Sequence, residues 1–196
     1  MSNYLARLTS NVFNPFLVSF VVIILLAFES TTTTAGAFQW LAISIALSVL
    51  PIFIFIIFMV RIKKLDGIFV NPRQQRNKIY VLATVLAAIG VAILYSINAP
   101  KLLFVTFVAG LAAIIIFMSI NLYWKISLHT GFIAAAVAIL IIAFGAIAAW
   151  SAILIPLVGW ARLKMRLHSP AQVANGAILA AGIVLIAFHL FGMIGN

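Results

Sequence analysis

Gly131-Phe-Ile-Ala-Ala-Ala-Val-Ala-Ile-Leu140-Ile-Ile-Ala-Phe-Gly145-Ala-Ile-Ala-Ala-Trp150-Ser-Ala-Ile-Leu-Ile-Pro156-Leu-Val-Gly-Trp160-Ala161 is a run of 31 residues without a charge. As a single helix it would measure about 46 Å at 1.5 Å per residue, well beyond a hydrocarbon core of about 30 Å. Counted outward to Lys125 and Arg166, it holds 42 residues. That is enough for two crossings joined by a tight turn. Gly145 and Ala149-Trp150-Ser151 form the expected corner, with Trp150 at a membrane interface. Whether this run folds back decides the number of crossings.

The rest of the chain fits that setting. Of its 196 residues, 66% are apolar and 7% are charged. A water-exposed surface cannot be built from so little charge, so the chain reads as an integral membrane protein. Lipid offers no partner to an open backbone, and no segment alternates polar and apolar residues as a barrel strand does. Helices are therefore expected. Further apolar runs cover residues 12–28, 38–60, 79–97, 102–124 and 170–193. The expectation is an all-α, polytopic transmembrane helix bundle of about seven spans, forming one integral membrane domain over residues 1–196. Six spans remain the alternative if 131–161 does not fold back. Ala35-Gly36-Ala37 resembles a leader cleavage site but lies about nine residues past the first apolar run, so that run is read as a retained span. The absence of cysteine excludes disulfides and thiolate metal sites.

The net charge of +10 would suggest nucleic acid in a soluble protein. Here the basic residues fall in short loops between apolar runs, where orientation and phosphate binding account for them without nucleic acid. Seven spans place the N-terminal residues, the basic loop 61–78, residues 125–130 and residues 162–169 on one side. That side holds eleven of the twelve Lys and Arg residues, and only Lys101 is opposite. By the positive-inside rule it is cytoplasmic. Setting aside Lys64, Arg73, Arg76 and Arg162 as phosphate ligands still leaves seven against one. The expected location is the bacterial cytoplasmic (inner) membrane, multi-pass.

Three polar clusters converge on that side: Arg61 to Arg76, Lys125 to His129, and Arg162 to His168. An even number of crossings separates each from the next, so the fold can gather them. In the third, Arg162 stands six residues before His168, a spacing able to hold an anion against a nucleophile. Lys164 and Arg166 read as an orienting cap on a span, and Arg61, Lys63 and Lys78 as headgroup contacts. His168-Ser169-Pro170 also has the form of a helix start.

These residues resemble the type-2 phosphatidic acid phosphatase superfamily, the membrane-embedded lipid phosphatases, across roughly residues 64–176. Arg162, five intervening residues and His168 match the third family motif, and Gly176 lies where the family favours glycine. Ser127 and His129 match the end of the second motif, with Leu128 in place of glycine. Lys64, followed by Arg73 and Arg76, loosely matches the first. The resemblance implies that His168 attacks phosphorus to form a phosphohistidine. His129 would protonate the leaving group and then activate water. Arg162, Lys64, Arg73 and Arg76 would hold phosphoryl oxygens, with Ser127 donating a further hydrogen bond. No metal and no other cofactor is implied. Two positions depart from the pattern. The family aspartate that orients the nucleophile is Gln172, which can accept the same hydrogen bond but carries no charge. The serine before the arginine is Ala161. Asp66 is the only other acid nearby, able to replace that carboxylate or to pair with Lys63.

The implied substrate is a lipid phosphate or a polyprenyl diphosphate, met among membrane lipids. The competing reading is a non-catalytic membrane subunit on the same scaffold, packed with membrane protein partners and binding lipid or pigment. A transporter fits less well, because few polar residues lie mid-membrane. His189, inside the last apolar run, either bonds a neighbouring helix or serves as an axial ligand for haem or chlorophyll. Gly176, Ala180 and Gly182 have the spacing of helix-packing small residues.

Overall fold

The computed structural model of the protein describes residues 2–68 and 72–195, so Phe69, Val70 and Asn71 of the basic loop lie outside the described residues. The described chain is helix and turn, with no strand. Its helices are α1 (Ser2–Val12), α2 (Pro15–Glu29), α3 (Thr34–Leu47), α4 (Val49–Arg61), α5 (Arg73–Ser96), α6 (Lys101–Asn121), α7 (Leu128–Phe144), α8 (Leu154–Lys164) and α9 (Pro170–Leu190). Five helical stretches are long and apolar enough to cross a membrane: Thr34–Arg61, Arg73–Ser96, Lys101–Asn121, Leu128–Lys164 and Pro170–Leu190. A sixth arises if α1 and α2, bent by 43°, cross as one. The protein is thus an all-helical, multi-pass membrane protein.

Proline and glycine set the breaks. Asn14 closes α1 and opens α2: its Nδ2 donates to the Asn11 carbonyl, while its Oδ1 accepts from the N–H groups of Phe16 and Leu17. Pro15 follows at the first helical position, where its missing N–H costs nothing. Residues 12–28 therefore do not form one uninterrupted span. Pro51 has no N–H to give the Leu47 carbonyl, and the α3–α4 stretch breaks at Ser48 (φ −127°, ψ −83°). Gly145 ends α7 at φ 68°, ψ −149°, a region essentially reserved for glycine.

Beyond Gly145 the chain runs as a 3₁₀ segment, Gly145–Ile153, before α8, and both pack against α7. Straight continuation would carry α8 away from α7 by 1.5–2 Å per residue. The stretch Leu128–Lys164 therefore reverses at its glycine, where the sequence places a corner. Three residues per turn put Ile147, Trp150 and Ile153 along one edge of the 3₁₀ segment. All three are exposed, Trp150 by 85%.

The chain, expected as one domain, packs as two compact units, Met1–Val22 with Ile126–Asn196, and Ile23–Lys125. In the first, α7 is the central helix, packed against α8, α9 and the 3₁₀ segment, while α1 packs on α8. Its buried residues, from His129 to Ile139, lie on nearly every side. The α9 stripe of Gly176, Ala180, Ile183, Val184, Ala187 and Phe188 recurs at three- and four-residue steps, as one buried helix face requires. Gly176 and Ala180 are in this interface as their spacing suggests, whereas a Cβ at Gly182 would meet nothing within 4 Å.

In the second unit, α5 packs along α6, and α3 and α4 against α5. The buried stripe of α5 is Arg76, Tyr80, Ala83, Gly90 and Leu94. Helix α5 begins at Arg73, directly after Pro72. Arg73, Arg76 and Lys78, expected in a loop, are thus on its opening turns.

Several helices end in the same way. After α4, α5 and α8, Lys63 (φ 57°), Asn98 (φ 51°) and Arg166 (φ 54°) adopt the left-handed conformation. At α8 the Arg166 N–H donates to Leu163 and the Leu167 N–H to Arg162. This paired pattern satisfies carbonyls that the helix end leaves open.

Candidate functional site

The polar end of the first unit is built from helix ends. Ser169 caps α9: its Oγ accepts from the Gln172 N–H at 3.3 Å, and Gln172 Oε1 accepts from the Ser169 N–H at 3.2 Å. This reciprocal capping box fixes which end of the Gln172 amide faces the chain start, because a backbone N–H can only donate. His168 Nδ1 lies 3.1 Å from the same Oε1. In a neutral ring Nδ1 therefore carries the proton, and the lone pair is on Nε2. His168 is 8% exposed. Gln172 thus holds the His168 ring through an uncharged amide oxygen.

The start of α7 is bound to the start of α9. Ser127 caps α7 by accepting from the Thr130 N–H. The Ser127 N–H donates to the Gln172 carbonyl at 3.3 Å, and Thr130 Oγ1 donates to the Val173 carbonyl at 3.1 Å. Gly176 permits this approach, since a Cβ there would sit 2.6 Å from the Ser127 carbonyl oxygen. His129, in the first turn of α7, is buried. Two helix N-termini, each with a positive dipole end, thus lie side by side, with His129 on the first turn of α7 and His168 just before the α9 cap. Ser127 is fully buried and its Oγ accepts as the α7 cap.

Arg162 belongs to the last turn of α8, where a cation is favoured by the helix dipole. It is buried, and its Nη1 donates to Ser10 Oγ at 2.8 Å. Ser10, itself buried, comes from α1. Neither α1 nor this contact was anticipated from the sequence. The signal was a helical period of small inward residues, Ala6 and Ser10, set against Tyr4, Leu5, Leu8 and Val12. Position 161 is a buried alanine, and the hydroxyl that meets Arg162 comes from 152 residues away.

The other expected phosphate ligands belong to the second unit. Arg73 donates from Nη1 to the carbonyls of Leu122 (2.7 Å) and Asn121 (3.3 Å), closing the end of α6. Asn121 Nδ2 returns bonds to the Arg73 carbonyl and to Asn77 Oδ1. Arg73 is therefore a helix-capping residue, because exposed C-terminal carbonyls need donors. Arg76 is buried one turn on, in the inner stripe of α5, and Lys64 is exposed after α4. Asp66 accepts from Gln75 Nε2 at 3.0 Å and its N–H donates to Gln75 Oε1. It therefore takes a glutamine partner in place of Lys63. His189 is exposed, and its Nδ1 lies 3.2 Å from the Ile194 carbonyl. Its partner is the chain that follows α9, in place of a neighbouring helix.

No protein family, curated protein or solved structure matches this chain.

Proposed function

We propose that the protein is a membrane-embedded lipid phosphatase that cleaves a lipid phosphate or isoprenoid diphosphate through His168. One observation carries the reading: Gln172 fixes the His168 ring with Nδ1 as donor, at the joined N-termini of α7 and α9. His168 Nε2 attacks phosphorus as the phosphorus–oxygen bond to the lipid breaks, and His129 gives its proton to the departing oxygen. Water then attacks the phosphohistidine and passes a proton to His129. The phosphorus–nitrogen bond breaks, and phosphate leaves. Arg162 holds phosphoryl oxygens and opposes the charge that develops on them. The assay is phosphate release in detergent, without added metal, from short-chain phosphatidate and farnesyl diphosphate. Release that vanishes in His168→Ala supports the reading; equal background from both proteins overturns it for these substrates.

The proposal includes seven spans: α2, whose 15 residues, about 22 Å, cross a locally thinned bilayer, α3 with α4, α5, α6, α7, the return limb, and α9. The return limb, nine 3₁₀ residues and eleven α-helical ones, measures about 34 Å at 2.0 and 1.5 Å per residue. This length suits a second crossing after the reversal at Gly145. The eleven-to-one distribution of basic residues favours the cytoplasmic face of a bacterial inner membrane for the site. The chain has no cysteine, so Ser169→Cys gives a single label. Labelling from outside intact cells by an impermeant reagent would refute this orientation.

A second reading, a non-catalytic membrane subunit packed with protein partners and binding lipid or pigment, has its own support. Gln172 brings no carboxylate to His168, and its oxygen also serves the α9 cap. A scaffold that needs these residues only for packing would give no phosphate release and would elute from a gentle purification with bound partners or pigment.

A further inference from the structure

Helix α1 has three faces. Ala6 and Ser10 are buried, and α1 packs on α8. Tyr4, Leu5, Leu8 and Val12 form an apolar arc at steps of one, three and four residues, and all four are exposed. Asn3, Arg7 and Asn11 form a polar stripe at strict four-residue steps, also exposed. A helix with lipid on its open side throughout would hold an arginine and two asparagines in hydrocarbon, at about 2.5–3.5 kcal/mol for the arginine alone at mid-membrane. A helix in water would expose four large apolar side chains in one arc.

Neither cost arises at the boundary between acyl chains and headgroups. We infer that α1 is an interfacial helix, its Tyr4/Leu5/Leu8/Val12 arc seated in lipid and its Asn3/Arg7/Asn11 stripe among the headgroups, on the leaflet that borders His168. Four features carry the assignment to lipid. Helix α1 departs from the line of α2 by 43°. Its eleven residues, about 16 Å long, are far too short to cross a core of about 30 Å by themselves. The apolar arc leads on to exposed Leu17, Phe20 and Val21 of α2, which face the same bilayer. Arg7 matches the negative charge of anionic headgroups. The Ser10–Arg162 bond locks the rotation of α1, so the apolar arc can only point away from the protein.

The test uses the full chain, which has no native cysteine, reconstituted in vesicles of phosphatidylethanolamine and phosphatidylglycerol. Single variants Leu5→Cys, Leu8→Cys, Val12→Cys, Asn3→Cys, Arg7→Cys and Asn11→Cys are spin-labelled. Their collision rates with oxygen, which concentrates in lipid, and with a water-soluble nickel chelate are then compared. All six sites are exposed, so labelling leaves the packing intact. The expected result is a several-fold preference for oxygen at 5, 8 and 12, and the reverse at 3, 7 and 11. Preference for nickel at all six would mean a helix in water, and preference for oxygen at all six would mean a span. Shielding of 5, 8 and 12 from both would mean a protein partner. Any of these overturns the inference, and none depends on phosphatase activity.

Discussion

Arg162 and Arg73 each stand at a polar helix end with one guanidinium nitrogen bonded to a distant element, and they are used in different ways. Arg73 donates to two main-chain carbonyls at the end of α6, acceptors that have nothing further to give. Arg162 donates to the Ser10 hydroxyl, which keeps a hydrogen of its own to offer. The first arrangement completes a helix. Under the proposed function, the second sets donors toward an incoming anion. The two arginines have similar surroundings in sequence, so residue type and basic context do not separate the two arrangements.

That contrast can be broken by exchanging the two roles experimentally. The largest effect is expected at Arg162→Ala, which should lower phosphate release by about 10²- to 10³-fold, the usual loss for one charge-stabilising donor. Arg73→Ala should leave the rate within a few-fold and reduce unfolding stability by about 1.5–3 kcal/mol, as for a hydrogen bond from a charged group. Rates for both, beside denaturation midpoints, decide the matter; a larger rate loss at Arg73 would reverse the assignment.

Gln172→Glu sharpens the comparison from the catalytic side. It keeps the reach of Oε1 and the capping pattern while adding the missing charge, so phosphate release should rise by about tenfold or more. The upper limit is the roughly 10⁴-fold effect of an orienting carboxylate in hydrolase triads. An unchanged rate would show that charge beside His168 is irrelevant and favour the subunit reading. Gly176→Ala should cost about 1–3 kcal/mol, since the added methyl meets the Ser127 carbonyl and Thr130 Oγ1. Gly182→Ala, in open space on the same helix, should be neutral or stabilising by up to about 1 kcal/mol. Thermal unfolding of the pair measures how far the α7–α9 junction sets stability. Asn121→Ala should cost about 1 kcal/mol in thermal unfolding, from its bonds to Arg73 and Asn77.

Hydropathy made the long apolar helices legible, because a bilayer imposes a length and a composition on whatever crosses it. Gly145 was legible as a corner because the run is too long to be straight. The reading failed where apolar density is the wrong measure. Helix α1 is too polar for a span and announces itself only through its period. Arg73, Arg76 and Lys78 read as loop because they are charged, although Pro72 before them marks a helix start. At the site, the His168–Gln172 pair follows from four-residue spacing on a helix cap. The Ser10–Arg162 pair does not, since no local rule joins positions 152 residues apart. The 3₁₀ geometry after Gly145 also leaves no mark in composition, as alanine and isoleucine suit an α-helix equally well.

The left-handed residues that close α4 and α8 carry a consequence for engineering. Lys63 and Arg166 occupy a backbone conformation that disfavours side chains by roughly 1–2 kcal/mol. Glycine there would firm the turn, yet each side chain also carries a charge that helps orient a multi-pass chain and that suits the negative end of its helix. Local ease and insertion bias thus compete at single positions. Thermostable variants of this protein are best sought at Asn98, the third such turn, where glycine removes no charge.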